Sequence, residues 1–264
     1  MKTEINGVQI AFTDQGTGVP ILFVHGFPLN RAIWESQVES LSSSFRIITV
    51  DLRGHGESDA PLWRYSMEMF ADDLAALMDH LAIKQAVMTG LSMGGYVLFA
   101  FYRKYRERVR GLILADTRAS SDTPKVREGR FQMAQTAHRE GIGPVADAMI
   151  PHLLSPQTIR NRPEQAEKVR EIILQNSPAG IAGDLMAMAE RPDSTLLLSE
   201  LKCPVMVMVG KEDVSTSPQE VGEMAGKIPG GRLEIIANAG HLSNFENPDE
   251  FNRVVKNFAG SLTD

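Results

Sequence analysis

Short runs rich in apolar residues recur along most of this chain, and the run at 20–24 is apolar throughout. Stretches with a helical period separate them. The runs occupy residues 20–24, 46–50, 109–115, 204–209 and 232–236, and a further run begins at Ala86 and leads to Ser92. Residues 67–81 show the helical pattern, because apolar side chains recur every three or four positions and Ser66 precedes them as an N-cap. Strands that are apolar throughout are buried on both faces. The alternation therefore predicts a mostly parallel sheet with helices on both faces.

The alternation of strands and helices is interrupted once. Residues 119–198 contain helical periods but no convincing strand, and the strand–helix alternation resumes after them. We interpret this segment as a helical cap inserted into an α/β core made of residues 1–118 and 199–264. At the start of the chain, residues 8–14 alternate loosely and end at a glycine-rich turn, which predicts a short antiparallel hairpin.

One stretch combines a buried strand, a sharp turn and a helix. Gly90, Ser92 and Gly94 match the G-x-S-x-G pattern of a nucleophile elbow. A strand that turns straight into a helix brings two backbones close together, so side chains at the two glycine positions would clash. An ordinary glycine-rich turn with a solvated serine is the alternative. The apolar strand before the turn and the apolar helix after it favour the nucleophile.

Composition narrows the class of protein further. The chain has 264 residues, which suits one α/β domain with an insertion, and its net charge of -6 argues against a nucleic-acid partner. Cys203 is the single cysteine, so no disulfide can form within the chain. The first residues lack the apolar segment of a signal peptide, and no apolar run approaches the length of a membrane span. We expect a cytoplasmic protein without a membrane partner.

Titratable side chains follow several of the predicted strands. In parallel sheets such groups gather beyond the carboxyl ends of the strands. A serine nucleophile needs a base, and the base needs an orienting acid. His241 follows the last strand and Asp213 follows the strand before it, in the chain order Ser, Asp, His. Asp116, which follows an earlier strand, is the rival to Asp213 as the acid.

These motifs together resemble the α/β-hydrolase superfamily over the whole chain. The matching motifs are His25-Gly26-Phe27-Pro28, Asp51-Leu52-Arg53-Gly54-His55-Gly56-Glu57-Ser58, Gly90-Leu91-Ser92-Met93-Gly94-Gly95, Gly210-Lys211-Glu212-Asp213 and Ala239-Gly240-His241. The resemblance implies an α/β-hydrolase fold: a mostly parallel eight-stranded sheet, helices on both faces and an inserted helical cap. Within the superfamily the chain resembles the branch of 3-oxoadipate enol-lactonases, small carboxylesterases and cofactor-free haloperoxidases.

The resemblance also implies a role for each residue. Ser92 attacks a carbonyl carbon, His241 moves the proton and Asp213 holds the histidine tautomer. The backbone N–H groups of Phe27 and Met93 would form the oxyanion hole.

Further residues receive a role in substrate contact or in structure. Four residues are expected to contact the substrate: Leu29, Leu153, Met186 and Leu242. His25 is expected to brace the turn that carries the Phe27 N–H. His55 is expected to bond within its own Gly-His-Gly turn, and Asp51 is expected to pair with Arg53. No cluster has metal-ligand spacing, so we expect neither a metal nor a cofactor.

The resulting hypothesis is a serine hydrolase whose partner is a small ester or lactone, such as an enol-lactone, an acyl homoserine lactone or a short-chain ester. Haloalkane dehalogenases and epoxide hydrolases resemble the same fold but carry Asp at the elbow, where this chain has Ser92. A perhydrolase or cofactor-free haloperoxidase, and a carbon–carbon bond hydrolase, are alternatives on the same triad. A ligand-binding receptor that has kept the hydrolase fold is a third hypothesis.

Overall fold

The strands of this protein form one sheet in a computed structural model, which describes residues 1–62 and 64–262. Within those residues the sheet has eight strands. They are β1 (Lys2–Ile5), β2 (Val8–Gln15), β3 (Pro20–Val24), β4 (Arg46–Val50), β5 (Ala86–Leu91), β6 (Val109–Ala115), β7 (Val205–Gly210) and β8 (Arg232–Ile236).

Helices connect the strands and fill the long interval between β6 and β7. They are α1 (Glu35–Leu41), α2 (Met67–His80), α3 (Met93–Tyr105), α4 (Pro124–Glu140), α5 (Ile142–Leu153), α6 (Pro156–Asn161), α7 (Pro163–Leu174), α8 (Pro178–Glu190), α9 (Pro218–Gly226), α10 (Ser243–Glu246) and α11 (Pro248–Gly260). We call α4 to α8 the cap helices. Short 3-10 helices lie at Arg31–Trp34, Arg106–Arg108 and Leu196–Glu200.

The strand order is β1-β2-β4-β3-β5-β6-β7-β8. β2 pairs antiparallel with β1 and β4, and the pairs from β4 onward are parallel. This confirms the predicted eight-stranded, mostly parallel sheet. Because β3, β5, β6, β7 and β8 all point the same way, the residues that follow them meet along one edge.

The predicted local signals match the observed element boundaries closely. The Ser66 side chain accepts a hydrogen bond from the Met69 N–H at the start of α2, as an N-cap does. Asn247 caps α11 in the same way, with Pro248 in the first helical position. The short helix α6 lies between α5 and α7, and the Ser155 side chain caps its first turn.

Two loop residues pair differently from the prediction. Asp51 does not pair with Arg53. Its carboxylate binds the Arg31 guanidinium and accepts hydrogen bonds from the backbone N–H groups of Arg31 and Glu57. Arg53 instead forms a buried two-point ion pair with Asp73 of α2, with both N–O distances at 2.6 Å. Alternate residues of this loop face different neighbours, which sequence proximity does not reveal.

The cap helices dock on the core through a backbone-to-backbone contact. Gly180 of α8 lies against Gly54 in the loop after β4, and a Cβ at Gly180 would overlap the Gly54 carbonyl oxygen. The reciprocal Cβ at Gly54 would lie 2.7 Å from the Gly180 Cα, and Gly54 has a φ of +89°. No side chain separates the two segments, so α8 holds a fixed position over this loop.

No helix among the described residues is long and apolar enough to cross a bilayer.

This contact predicts opposite effects for two glycine-to-alanine changes. Gly180→Ala should lower the free energy of unfolding by about 1–3 kcal/mol, because the added methyl group forces the cap away from the core. Gly129→Ala, at an exposed position of α4 with no atom near the added Cβ, should raise it by about 0.4–1 kcal/mol. Urea unfolding of both variants measures the difference. Equal effects would contradict the docking role of Gly180.

Candidate active site

Ser92 stands at the sharp turn between β5 and α3. Its φ of 52° and ψ of -112° lie outside the usual regions, and α3 begins at the next residue. The crossing is tight because a Cβ at Gly90 would lie 2.6 Å from the Gly94 carbonyl carbon. A Cβ at Gly94 would overlap the Val24 carbonyl oxygen of β3. Both glycines are therefore required by the backbone path that presents Ser92.

A continuous chain of hydrogen bonds links Ser92 to His241 and Asp213. The Ser92 Oγ lies 2.8 Å from His241 Nε2, and His241 Nδ1 lies 2.8 Å from Asp213 Oδ2. The Asp213 Oδ1 accepts from the backbone N–H groups of Ser215 and Thr216 at 2.7 and 2.9 Å. The Thr216 hydroxyl donates to Asp213 Oδ2 at 2.5 Å. The structure thus brings the three residues of the predicted triad together, in contact order.

Backbone pairing between two loops sets the spacing of the acid and the base. The Lys211 N–H donates to the Ile236 carbonyl, and the Glu212 N–H donates to the Ala239 carbonyl, each at 2.8 Å. These bonds extend the β7–β8 pairing beyond the strands. Asp213 and His241 therefore leave the sheet side by side, although 28 positions separate them in sequence.

The charges of the acid and the base stabilise each other. Burial opposes ionisation of Asp213, but the His241 ring and the hydrogen-bond donors around the carboxylate hold its pKa below the usual range. Burial likewise opposes the charged form of His241, but the Asp213 carboxylate outweighs it and raises the histidine pKa. The pair therefore stabilises the imidazolium form of His241.

Asp116 occupies a different place from Asp213. It is fully buried, its Oδ1 accepts from the Gly210 N–H at 2.7 Å, and its Oδ2 accepts from the Ser243 hydroxyl. Burial, followed by the negative charge of Asp213, raises the pKa of Asp116 to about 8. Its hydrogen bonds join the ends of β6 and β7 to α10, underneath the triad. The geometry therefore favours Asp213 as the partner of His241.

The oxyanion turn, residues Gly26–Asn30, lies directly beside the nucleophile. A Cβ at Gly26 would be 3.1 Å from the Ser92 Cβ, so the turn and the elbow are in contact. The Phe27 N–H donates to no acceptor among residues 1–62 and 64–262. Met93 is the first residue of α3, and its N–H has no partner within the helix. Both predicted oxyanion donors are thus available next to Ser92.

His25 braces this turn, as predicted. Its Nε2 accepts from the Leu52 N–H at 3.1 Å, and its Nδ1 donates to the Gly26 carbonyl at 3.0 Å. Burial and the neighbouring His55 hold the pKa of His25 well below its usual value, so the ring is neutral. His55, by contrast, was wrongly predicted to bond within its own turn. Its ring reaches the Leu29 carbonyl and the Asp184 carboxylate of α8 instead.

A cavity of about 360 Å³ opens onto the Ser92 hydroxyl and the His241 ring, beneath the cap helices. Core residues supply its floor and cap residues its roof. Its lining consists of Phe27, Ser92, Tyr96, Arg118, Asp122, Val126, Arg130, Met149, His152, Met188, Ser215, Thr216 and His241.

The four residues predicted to contact substrate lie elsewhere, and none of them lines this cavity. Leu29, Leu153 and Leu242 are at most 1% exposed and belong to the hydrophobic core. The Leu242 N–H donates to the Leu153 carbonyl, so those two residues join the cap to the core. Met186 is half-buried on α8, two positions before Met188. Two residues are about 200° of helix rotation, so Met188 faces the cavity and Met186 does not.

Sequence reasoning missed Arg118, Arg130 and Tyr96 as lining residues. Arg118 lies two positions after Asp116, beyond the end of β6, where the strand-end rule points to the site. That position is the one signal in the sequence that identifies it. Arg130 and Met149 belong to helices whose rotation about their axes is set by packing.

The buried Asp116 predicts a pH-dependent difference in stability. Its native pKa of about 8 lies above its value of about 3.9 in an unfolded chain, so the folded protein holds a proton that the unfolded chain has released. This contribution is present at low pH and is lost as the pH rises through the native pKa. Asp116→Asn cannot titrate there. The variant should therefore gain unfolding free energy relative to wild type between about pH 5.5 and about pH 8.5 in urea titrations. The same difference at both pH values would contradict the buried proton.

The chain is similar to known proteins in sequence and in fold. The family model for the alpha/beta hydrolase fold matches residues 19–248. A thermophilic esterase from Thermogutta terrifontis, solved with malate bound, is 46% identical, with a TM-score of 0.96 over 100% of this chain and 97% of its own. The 3-oxoadipate enol-lactonase 2 of Acinetobacter baylyi is 30% identical over 89% of this chain and 86% of that protein. The enol-lactonase of Burkholderia xenovorans is 29% identical, with a TM-score of 0.92 over 98% of this chain and 100% of its own. This chain belongs to the alpha/beta hydrolase fold family.

Proposed function

We propose that this protein is a serine hydrolase that cleaves carboxylic esters or lactones through an acyl-enzyme. The observation that carries the proposal is the hydrogen-bonded series from Ser92 through His241 to Asp213, open at its serine end to the cavity. The esterase and the enol-lactonases to which the chain is similar support this reaction class.

Acylation follows from the direction of the hydrogen bonds. The Asp213 carboxylate accepts from His241 Nδ1–H, which leaves Nε2 free to accept the Ser92 proton. As the Ser92 Oγ attacks the carbonyl carbon, its proton moves to Nε2 and the carbonyl oxygen becomes an oxyanion. The Phe27 and Met93 N–H groups donate to that oxyanion. The imidazolium then protonates the leaving alkoxide as the carbon–oxygen bond of the ester breaks.

Deacylation repeats these steps with water as the nucleophile. His241 Nε2 takes a proton from water while the water oxygen attacks the acyl carbon, and it returns the proton to Ser92 Oγ as the enzyme is released. With a lactone, the leaving alcohol stays attached to the acyl group. Water must then attack before ring closure, in a cavity that the cap helices cover.

The charge around the cavity favours a substrate with a carboxylate. Asp122 is the carboxylate among the lining residues, and it contacts both Arg130 and Arg191. Burial opposes its ionisation, but the two guanidinium groups hold its pKa below the usual range. Among the lining residues, two guanidinium groups, those of Arg118 and Arg130, thus stand against this one carboxylate. The balance in the cavity is positive.

Arg118 is the group best placed to bind that carboxylate. Its Nη2 donates to the Ser215 carbonyl, while its Nε is buried without a hydrogen-bond partner in the described part of the chain. The Glu220 Oε1 lies 3.6 Å from that Nε, so the two side chains form an ion pair, and Glu220 does not line the cavity. A guanidinium that lines the cavity beside the triad is suited to an anionic acyl chain. The esterase solved with malate, a dicarboxylate, supports this substrate class.

Ser92→Ala should abolish turnover of a p-nitrophenyl ester and prevent labelling by a fluorophosphonate, because no other group replaces the attacking hydroxyl. Mass spectrometry should find one label on wild type, on Ser92, and none on the variant.

Asp213→Asn should lose more activity than Asp116→Asn, since Asp213 is the carboxylate that contacts His241. The reverse order would move the acid to Asp116, and full activity of Ser92→Ala would refute the mechanism. An added peroxide arm tests for perhydrolysis on the same triad.

Arg118→Gln should lower kcat/KM for a monoethyl dicarboxylate about 10–100-fold, the effect of losing a charge-assisted hydrogen bond. The rate with a neutral ethyl ester of equal chain length should change little, which controls for damage to the triad. Arg118→Lys should recover part of the preference. Glu220→Gln, which removes the neighbouring carboxylate, should leave or raise the preference for the acidic ester. Equal losses on both esters would contradict an anion-binding role.

A further inference from the structure

The oxyanion turn, Gly26–Asn30, is held in place largely by polar side chains from outside it. The Leu29 N–H closes the turn on the Gly26 carbonyl at 3.0 Å. The Pro28 and Leu29 carbonyls point outward, and each meets a buried donor. The Pro28 carbonyl accepts from Asn176 Nδ2 at 2.7 Å, and the Leu29 carbonyl accepts from His55 Nδ1 at 2.6 Å. These two bonds fix the peptides that follow Phe27.

Asn176 lies between α7 and α8 and connects the turn to a second core loop. Its Nδ2 donates to the Pro28 carbonyl, and its Oδ1 accepts from the Gly56 N–H at 2.7 Å. The side chain is 5% exposed, so water does not compete for these bonds. One amide from the cap segment therefore sets the distance between the oxyanion turn and the loop after β4.

His55 transmits a second constraint from the cap. A carbonyl oxygen only accepts, so the Leu29 contact requires a proton on His55 Nδ1. The other ring nitrogen, Nε2, contacts the Asp184 Oδ2 of α8. That contact holds one shared proton, and it fixes both the orientation of the ring and the tautomer that faces Leu29.

Stability alone does not account for Asp184. Its side chain is completely buried, and its Oδ1 lacks a hydrogen-bond partner among the described residues. A buried carboxyl group with an unsatisfied oxygen destabilises a fold relative to an apolar side chain of similar volume. The carboxyl group does, however, hold the ring that holds the Leu29 carbonyl. The backbone contact between Gly180 and Gly54 keeps α8 at a fixed distance while it does so.

We propose that Asn176, Asp184 and His55 are positioning residues for the oxyanion hole, so that the cap helices set the direction of the Phe27 N–H. The inference rests on the proposed function, because it assigns a role in the formation of the tetrahedral intermediate. None of the three side chains touches the substrate cavity. They act through the backbone of the oxyanion turn.

The test compares acylation rates with stability. Asn176→Asp keeps the volume and the acceptor for the Gly56 N–H but removes the donor to Pro28. Asp184→Ala removes the partner of His55, whereas Asp184→Asn supplies an amide that donates to Nε2 of a neutral ring. Asn176→Asp and Asp184→Ala should lower the rate of Ser92 labelling by a fluorophosphonate, and the p-nitrophenyl acetate burst rate, about tenfold or more. KM should change less than about twofold, and Asp184→Asn should keep most of the rate.

Val169→Ala is the matched control, because it removes buried packing in α7 and no hydrogen bond to the turn. It should lower Tm and leave the labelling rate unchanged below the unfolding transition. If Asn176→Asp and Asp184→Ala also label at the wild-type rate, they are structural residues and the inference is wrong. If Asp184→Ala does not fold, the isosteric Asn176→Asp decides. Absence of labelling in wild type would instead refute the role of Ser92, and the positioning role with it.

Discussion

The backbone crossing between β5 and α3 is the constraint on which the rest of the site depends. Ser92 is held in a strained conformation, at a cost on the order of 1–3 kcal/mol, because the chain must turn from a central strand directly into a helix. The absence of side chains at Gly90 and Gly94 allows the helix to pass close to β3 and β5. The same crossing places the Met93 N–H at the start of α3, next to the hydroxyl. The proposed nucleophile and one proposed oxyanion donor thus come from one local geometry.

A second constraint is the pair of buried carboxyl groups, Asp116 and Asp213, that follow β6 and β7. Asp213 is ionised because it faces His241 and several donors, while Asp116 is pushed toward its neutral form by burial and by the charge of Asp213. The two therefore differ in role because of their surroundings, although both follow parallel strands. In the proposed mechanism, the ionised carboxyl group orients the His241 base. The other ties the ends of β6 and β7 to α10 through Gly210 and Ser243.

The cap helices combine two roles in the proposed enzyme. Their cavity-facing side chains, such as Arg130 and Met188, shape the space above Ser92. Away from the cavity, Asn176 donates to the Pro28 carbonyl of the oxyanion turn. Asp184 contacts His55, which donates to the Leu29 carbonyl of the same turn. A change in the cap can therefore alter both what binds and how well the oxyanion is stabilised. Under the proposed function and the proposed positioning role, substrate selection and catalysis are coupled through a shared set of helices.

The strand and helix order, the elbow, and the positions of Ser92, Asp213 and His241 at strand ends could all be predicted from the sequence. Those features follow from local rules: apolar periodicity, glycine where backbones meet, and the common direction of parallel strands. Tertiary packing was needed to establish which carboxyl group meets the histidine, that His55 contacts Asp184 of α8, and that Met188 rather than Met186 lines the cavity. Each of those outcomes depends on how a helix or loop is rotated against neighbours that are distant in sequence, 28 positions away for Asp213 and His241 and 129 for His55 and Asp184. That rotation is set by packing, and packing leaves no periodic signal in the segment itself.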